Sequence, residues 1–346
     1  MMKSFAAVAL GIVCAATLGC GEGAERPRVP QEERPKVGLL MDTLEEERWQ
    51  RDRDLFLERA KEMRADVIVE SAERDDERQL QQAQSMLDQG VQALVVIPHN
   101  AEVAAKIVEA AKARNVPVIA YDRLIRNADV DLYVSYDNRK IGEMQAQYVR
   151  NRAPSGNYIL LGGAKTDYNA ILIREGQMAA LEDGIKRGAI RVVAEPWTPD
   201  WQAAEAEKLT EAALKRAGNK VAAVVASNDN TAAGAIRALE KQGLAGKVLV
   251  SGQDANLDAV RRIVEGTQSM TVYKPIRGLA RIGATAAVQM ARGEKVEGTS
   301  TINNGQKDVQ ALLLQPISVD KNLVDRIIIN DGFHTREQVY GTGGTQ

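Results

Sequence analysis

A carboxylate and a guanidinium stand side by side at Asp122 and Arg123, directly after a run of apolar residues. Residues 116–121 read Val-Pro-Val-Ile-Ala-Tyr, which predicts a short buried strand of a parallel sheet. In open α/β sheets, ligands bind at the carboxyl ends of the strands. A fixed acceptor beside a five-donor fork suits a small, neutral molecule rich in hydroxyl groups. The pattern therefore predicts a polar ligand site at residues 121–123.

Polar residues also follow other predicted strands: Asp42, Asn228, Asp229, Asp254 and Lys274. An Asp or Asn before a helix is commonly an N-cap, because its side chain satisfies free backbone N–H groups. Capping would explain Asp42 and Thr43, since residues 43–46 have capping-box spacing, and one of Asn228 and Asp229. Capping cannot explain Arg123 or Lys274, because a cation opposes the positive end of a helix. These two cations are the stronger indication of a ligand site.

The tryptophans add an apolar component to this site. Trp49 lies in the charged run of residues 45–54, where it is either core packing or an aromatic wall over a cleft. Trp197 and Trp201 flank a Thr-Pro-Asp turn after a predicted strand. A flat ring suits the apolar C–H face of a sugar, while Asp, Asn and Arg bind its hydroxyls. A loop tryptophan in this position therefore favours ligand stacking over core packing.

The motifs of common enzymes are incomplete. Residues 162–166 (GGAKT) depart from a phosphate-binding loop, because Ala164 stands where a glycine is required. Asp122 and Asp254 could act as acid and base, but a nearby arginine and lysine would keep both ionised. Catalysis is therefore the minority hypothesis, and no cofactor is expected.

Composition excludes several classes of partner and site. The chain has 45 basic and 47 acidic residues among 346, which gives no electrostatic reason to expect a nucleic-acid partner. Both cysteines, Cys14 and Cys20, lie in the first twenty residues, so the folded part has no disulfide or thiol nucleophile. Two histidines, His99 and His334, are too few for a histidine-built metal centre, and no metal site is expected.

From Lys36 onward, short apolar segments alternate with stretches that have helical spacing of apolar residues, which predicts an α/β fold of parallel βαβ units. About ten strands exceed one sheet, so two doubly wound domains are expected, divided near residues 137–142. The predicted strands are residues 36–42, 65–71, 93–98, 117–122, 132–137, 158–163, 190–197, 222–229, 248–254 and 269–275.

Residues 1–20 are typical of an export signal: Lys3 precedes an apolar run over residues 5–18. The segment ends in Thr17-Leu18-Gly19-Cys20, which resembles a bacterial lipobox and predicts acylation of Cys20. Ordinary cleavage near residues 15–19, giving a free periplasmic protein, is the alternative. Residues 21–35 are expected to be a flexible tether, and residues 336–346 a loose tail. The predicted location is periplasmic, with a lipid anchor as the only membrane contact.

Seven segments resemble the periplasmic sugar-binding proteins of ABC importers, in the ribose/galactose-binding (type I) superfamily, and within it the members that bind D-xylose. The segments are ERWQRDRD (47–54), IAYDRLI (119–125), VASNDNTAAGAI (225–236), SGQDANL (251–257), TVYKPI (271–276), NNGQKDV (303–309) and DGFH (331–334). The resemblance implies two α/β lobes joined by a three-strand hinge, with the sugar held between them. The first lobe would comprise residues 36–140 and 276–306, and the second residues 141–275 and 307–335.

The resemblance also implies a role for individual residues. Contacts to sugar hydroxyls are implied for Arg48, Asp122 and Arg123 from the first lobe, for Asp167, Asn169, Asn228 and Asp254 from the second, and for Lys274 near a hinge crossing. Trp201 would stack on the pyranose ring, and Trp49 would form the opposite wall. For Asn100, Asp137 and Trp197 a structural role is the alternative.

The resemblance and the polar strand ends together predict a monomeric protein that captures a monosaccharide by hinge closure and delivers it to an ABC permease. A sensory role is a second class, in which the closed complex signals to a histidine kinase or chemoreceptor. A sugar-sensing repressor would need a helix-turn-helix head, whereas residues 1–35 indicate a signal and tether. D-xylose is the expected sugar, with arabinose, ribose, glucose and galactose as alternatives, because epimers differ in only a few hydroxyl contacts.

Overall fold

The computed structural model describes residues 34–341, and its strands form two main sheets. The strands are β1 (Lys36–Met41), β2 (Asp66–Ser71), β3 (Ala93–Val96), β4 (Val118–Tyr121), β5 (Leu132–Tyr136), β6 (Gly156–Leu161), β7 (Ile190–Ala194), β8 (Ala223–Ala226), β9 (Leu249–Val250), β10 (Thr271–Tyr273), β11 (Ser300–Asn303), β12 (Asp308–Leu314) and β13 (Ile317–Val319). The predicted signal peptide, Cys20 and the tether up to residue 33 lie outside the described residues.

Helices cover both faces of the two main sheets. They are α1 (Glu47–Glu62), α2 (Asp76–Asp88), α3 (Ala105–Lys112), α4 (Asn138–Arg152), α5 (Tyr168–Lys186), α6 (Ala203–Arg216), α7 (Asp229–Glu240), α8 (Leu257–Glu265), α9 (Ile276–Ala291) and α10 (Arg336–Tyr340). Short 3-10 turns span Pro199–Trp201 and Lys321–Leu323, and a π-helix spans Val324–Ile329. Between residues 34 and 341, none of the helices has the length and apolar character needed to cross a bilayer.

The first lobe is built on a seven-stranded sheet of order β11-β12-β5-β4-β3-β1-β2. All neighbours are parallel except β11 and β12, which are antiparallel. One face packs against α1 and α9, and the other against α2 and α3. The central strands are buried on both faces, which explains why they are continuous apolar runs rather than alternating ones.

The second lobe is built on the parallel sheet β7-β6-β8-β9. Helices α4 and α5 cover one face, and α6 and α7 cover the other. The antiparallel pair β10-β13 extends this sheet through a bridge between Gln253 and Val272. The predicted α/β fold of two doubly wound lobes is confirmed.

The chain crosses between the lobes three times, at residues 137–138, 274–275 and 315–316, which form the hinge. The third crossing corrects the predicted lobe boundary at residue 306. Strand β12 pairs in parallel with β5, with Ala311 opposite Tyr133, so residues 307–314 belong to the first lobe. Strands β11, β12 and β13 were not predicted, because no helix separates them and the βαβ pattern does not include them.

All ten predicted strands are present, most of them shorter at the carboxyl end than expected. Two predicted ends of elements are wrong. Helix α1 begins at Glu47 rather than near Leu44, and Thr43 makes no capping box, because its hydroxyl accepts from the Glu45 N–H at 3.1 Å instead. Residues 336–340 are not a loose tail but helix α10, which Thr335 caps and whose Val339 packs into the second lobe.

Helices α4 and α5 approach so closely that their backbones touch at two glycines. A Cβ added to Gly142 would lie 1.9 Å from the Ile173 carbonyl oxygen, and one added to Gly176 would lie 2.0 Å from that of Arg139. These contacts pack the first helix after the hinge crossing tightly against its neighbour. The position of the second lobe's helical layer therefore depends on the absence of side chains here.

We expect Gly142→Ala to lower the free energy of unfolding by about 1–3 kcal/mol, because the helices must separate. Gly278→Ala is the matched control: Gly278 also lies in a helix, but the atom nearest its added Cβ is the flexible Leu314 Cδ2 at 3.3 Å. Alanine favours helix over glycine, so the control is expected to be neutral or slightly stabilising. Urea denaturation measures both, and equal midpoints for wild type and Gly142→Ala would contradict the expectation.

Candidate functional site

A small cavity lies between the lobes, where the carboxyl ends of both sheets face each other. All ten residues predicted to contact the ligand line it: Arg48, Trp49, Asp122, Arg123, Asp167, Asn169, Trp201, Asn228, Asp254 and Lys274. The structure thus brings together residues that are far apart in the chain. Their contact with a ligand stays a prediction.

Sequence reasoning missed five lining residues: Glu46, Ile173, Asn230, Gln253 and Asn256. Gln253, Asn230 and Asn256 stand one or two positions from predicted site residues, so the polar strand ends themselves were the available signal. Ile173 sits within helix α5 and reads as an ordinary core residue, and no pattern in the sequence distinguishes it.

Arg48, in the first turn of α1, connects the two lobes. Its guanidinium is bonded to Asp122 of its own lobe and lies 3.2 Å from Asp254 Oδ1 of the second. A third carboxylate, Asp52, accepts from Nε at 3.3 Å one helical turn later. Because the arginine is buried, these carboxylates replace the water that its charge would otherwise need.

Lys274 approaches the same carboxylates from the second hinge crossing. Its ammonium lies 3.1 Å from Asp254 and 3.6 Å from Asp122. Burial alone would raise the pKa of Asp122, but Arg48 and Lys274 outweigh it and hold that pKa at about 2. The carboxylate is therefore an acceptor at neutral pH, as the sequence predicted, rather than a general acid.

Arg123 makes a second link across the cleft. Its guanidinium donates to Asp42 at 2.6 Å and lies 3.0 Å from Asp167 of the second lobe. The predicted capping role of Asp42 is wrong, because this carboxylate is engaged by Arg123 and lies 3.0 Å from the Nδ1 of His99. Burial opposes ionisation of Asp42, but Arg123 and His99 lower its pKa overall.

Asp122 itself adopts a left-handed backbone conformation, with φ of 60°. Its carbonyl oxygen accepts hydrogen bonds from Ser135 at 2.6 Å, from Tyr133 at 3.0 Å and from Asn169 of the second lobe at 2.9 Å. Such a conformation is unfavourable for a residue with a Cβ and persists only where its surroundings hold it. These donors therefore hold the backbone of Asp122 in this conformation.

The two predicted aromatic walls are both present. Trp49 is buried in the first lobe's core and also lines the cavity, so it is both a core residue and an aromatic wall. The Arg48 guanidinium lies 4.2 Å from the centre of its ring. Trp201 follows Asp200 in a left-handed turn, with φ of 57° and 47° respectively. A Cβ on Gly163 would lie 2.2 Å from the Trp201 ring, so this glycine is what allows the ring to reach the cavity wall.

Four residues remained with both a structural role and a ligand-binding role open: Asn228, Asn100, Asp137 and Trp197. Asn228 is the N-cap of α7, accepting from the Thr231 N–H at 2.9 Å, and it also lines the cavity. Asn100 and Asp137 accept hydrogen bonds from the backbone at the starts of helical turns, and Trp197 packs under Arg174 at 4.6 Å. These three side chains are structural and do not line the cavity.

Residues 37–295 match the model of a family described as periplasmic binding protein domain. The chain belongs to this family. Two relatives are described as D-xylose-binding periplasmic proteins. The one from Haemophilus influenzae is 50% identical over 88% of this chain and 92% of its own length, and the one from Escherichia coli is 47% identical over the same shares.

Two solved structures of transporter solute-binding proteins share the fold. A carbohydrate transporter solute-binding protein from Chloroflexus aurantiacus, in complex with D-glucose, has a TM-score of 0.82 and 30% identity, covering 87% of this chain and 97% of its own. An ABC transporter solute-binding protein from Clostridium phytofermentans, with bound β-D-glucose, has a TM-score of 0.81 and 27% identity, covering 88% and 99%.

In this periplasmic binding protein the lobes contact each other through the cleft residues themselves. Arg48 reaches Asp254, Arg123 reaches Asp167, and Asn169 reaches Asp122. Three cations line the cavity, Arg48, Arg123 and Lys274, and they lie among four carboxylates, those of Glu46, Asp122, Asp167 and Asp254. The cations of the cavity wall are therefore paired with carboxylates from both lobes.

The contact between His99 and Asp42 is expected to make stability depend on pH. The hydrogen bond to Asp42 raises the pKa of His99 above its ordinary value. The folded state therefore binds the proton more tightly, so this contribution is complete below about pH 6.5 and is lost as the pH rises through the raised pKa. We expect the stability advantage of wild type over His99→Gln to be larger at pH 5.5 than at pH 8.5.

Denaturant unfolding at the two pH values measures this difference, which cannot exceed about 1.4 kcal/mol per pH unit for one proton. The variant keeps every other titrating group, so the difference between the two proteins isolates His99. Parallel stability curves across this range would contradict the expected role of the pair.

Proposed function

We propose that this periplasmic binding protein captures a monosaccharide, D-xylose, between its lobes and delivers it to the permease of an ABC importer. The observation that carries the proposal is the cavity between the lobes, whose wall combines two tryptophans with three cations and the carboxylates that pair with them. The relatives named for D-xylose, 50% and 47% identical along nearly their whole length, support this choice of sugar.

The chemistry of the wall favours a neutral polyol. Each sugar hydroxyl can donate to a carboxylate and accept from a guanidinium or ammonium, so one ligand uses both kinds of group. Two further polar atoms of the wall, the Trp201 Nε1 and the Gln253 amide oxygen, are buried without a hydrogen-bond partner within residues 34–341. A sugar can satisfy such atoms, and an apolar ligand cannot.

The mechanism follows from the division of the wall between the lobes. A ligand that contacts Arg48 and Asp122 from one side and Asp254 and Asn169 from the other binds the closed state more tightly than the open one. That difference in affinity shifts the hinge equilibrium toward closure. The closed surface is then what a permease distinguishes from the open protein. The role is binding without chemical conversion of the sugar.

We expect D-xylose to raise the melting temperature more than arabinose, ribose, glucose or galactose, because a ligand of the folded state stabilises it. Asp254→Ala is expected to weaken xylose binding at least about 100-fold, since it removes an acceptor and leaves Arg48 and Lys274 short of a partner. Asp183→Ala, which removes an exposed carboxylate of α5 paired with Arg187, is the control and should bind as wild type does.

Thermal shift and titration calorimetry provide the two measurements. A wild-type protein indifferent to all five sugars would overturn the proposed function. A stronger response to another pentose or hexose would retain sugar binding and reject D-xylose. Near-normal xylose affinity of Asp254→Ala would reject the assignment of the site.

We also propose that Cys20 is acylated and anchors the protein to the membrane, on the basis of the Thr17-Leu18-Gly19-Cys20 sequence. Expressed with its own N-terminus, the wild type is expected to incorporate labelled fatty acid and to sediment with membranes. Cys20→Ser is expected to lose both, whereas Cys14→Ser, within the apolar run, should retain them. Release of unlabelled wild-type protein into the soluble periplasm would favour ordinary cleavage instead.

A further inference from the structure

The carboxylate of Asp254 is presented to the cleft by a backbone turn of unusual conformation. Asp254 and the next residue, Ala255, have φ of 94° and 53°, the left-handed region that residues with a Cβ rarely adopt. The same turn places Asp254 Oδ1 3.2 Å from Arg48 and 3.1 Å from Lys274. A strained turn at a binding residue needs surrounding groups that hold it.

Three successive N–H groups of this turn are bound by the second lobe. The Asp254 N–H donates to the Val272 carbonyl at 2.9 Å, which extends the sheet. The next two donate to side chains: Ala255 to the Thr271 hydroxyl at 3.2 Å, and Asn256 to the Asp229 carboxylate at 3.0 Å. Side chains thus replace the backbone partners that a regular strand would supply.

Thr271 and Asp229 act as a unit. Because the Thr271 oxygen accepts from the Ala255 N–H, its own proton is free to go to Asp229, whose Oδ1 lies 3.0 Å away. Gln268 donates to the same Oδ1 at 2.8 Å and so fixes the carboxylate from another side. All these groups are buried, where an unpaired polar atom is unfavourable.

His334 holds the opposite side of the turn. Its Nε2 lies 2.8 Å from the Ala255 carbonyl oxygen, which can only accept, so Nε2 carries the proton and donates. Burial lowers the pKa of His334, which keeps the ring neutral. The ring also packs against Phe333, with the two ring centres 4.6 Å apart.

We propose that Thr271, Asp229 and His334 are positioning residues that set sugar affinity by holding the Asp254–Ala255 turn in its strained conformation. Neither Thr271 nor His334 lines the cavity, so each acts through Asp254. All belong to the second lobe, so the turn is shaped before the lobes close. The effect on affinity rests on the proposed function of sugar binding, whereas the effect on the turn does not.

Paired variants separate the hydrogen bond from the bulk of the side chain. Thr271→Val removes the hydroxyl at nearly constant shape, and Thr271→Ser restores it. His334→Leu removes the donor, and His334→Gln restores an N–H at the position of Nε2. Thr210→Val is the matched control, because Thr210 is an equally buried threonine whose hydroxyl donates to the Ala206 carbonyl within α6 at 2.7 Å, away from the cleft.

Calorimetry with D-xylose, well below each melting temperature, is expected to show at least tenfold weaker binding for Thr271→Val and His334→Leu. Thr271→Ser and His334→Gln are expected to stay within threefold of wild type, and Thr210→Val to lose thermal stability without losing affinity. A purely structural role would lower the melting temperatures and leave the affinity of the folded protein unchanged. That result would overturn the proposal.

Amide hydrogen exchange of Ala255 and Asn256, followed by NMR without sugar, is the second readout. We expect it to be at least tenfold faster in Thr271→Val and in His334→Leu than in wild type. If wild type binds none of the sugars, the proposed function fails and exchange alone decides the positioning role. Unchanged exchange at both amides in both variants would then overturn that role as well.

Discussion

The buried guanidinium of Arg48 is the interaction on which the rest of the cleft depends. It meets carboxylates from both lobes, and a charge taken out of water in this way is tolerated only when its partners are in place together. The aspartates must therefore arrive at the correct distance from two separate sheets. In the proposed function, a sugar that forms hydrogen bonds with these carboxylates contacts both lobes at once, and this would couple sugar binding to closure of the lobes.

The loops that supply the cleft share a second feature, which is a left-handed backbone at residues that are not glycine. Asp122, Asp200, Trp201, Asp254 and Ala255 all have positive φ. Each of these loops lies just beyond a strand or in the turn that follows it, where the regular sheet gives way to a side chain aimed at the cavity. The surrounding hydroxyl, amide and imidazole groups hold these conformations. The usual preference of residues with a Cβ for negative φ therefore does not apply at the site.

The sequence was most informative where structure follows local periodicity. Ten strands, the doubly wound class and the polar strand ends could be read from runs of buried residues and the residues after them. The prediction failed where partners are distant. Strand β12 belongs to the first sheet because it pairs with β5, a partner more than 170 residues earlier in the chain. Asp42 accepts a hydrogen bond from Arg123 and does not cap the helix that follows it. Local spacing carries no information on such partners.

The sequence by itself determined the polar residues that follow the buried strands, such as Asp122, Arg123 and Asp254, because burial imposes a pattern on neighbouring residues. Arg48, Asp167 and Asn169 were predicted only from the resemblance to periplasmic sugar-binding proteins. Only the tertiary structure decided how those groups meet. Arg48 and Asp254 are separated by 206 positions, and the imidazole of His334 supports a turn 79 positions earlier. Such pairs depend on how three hinge crossings orient two separate sheets, and no local periodicity encodes that orientation.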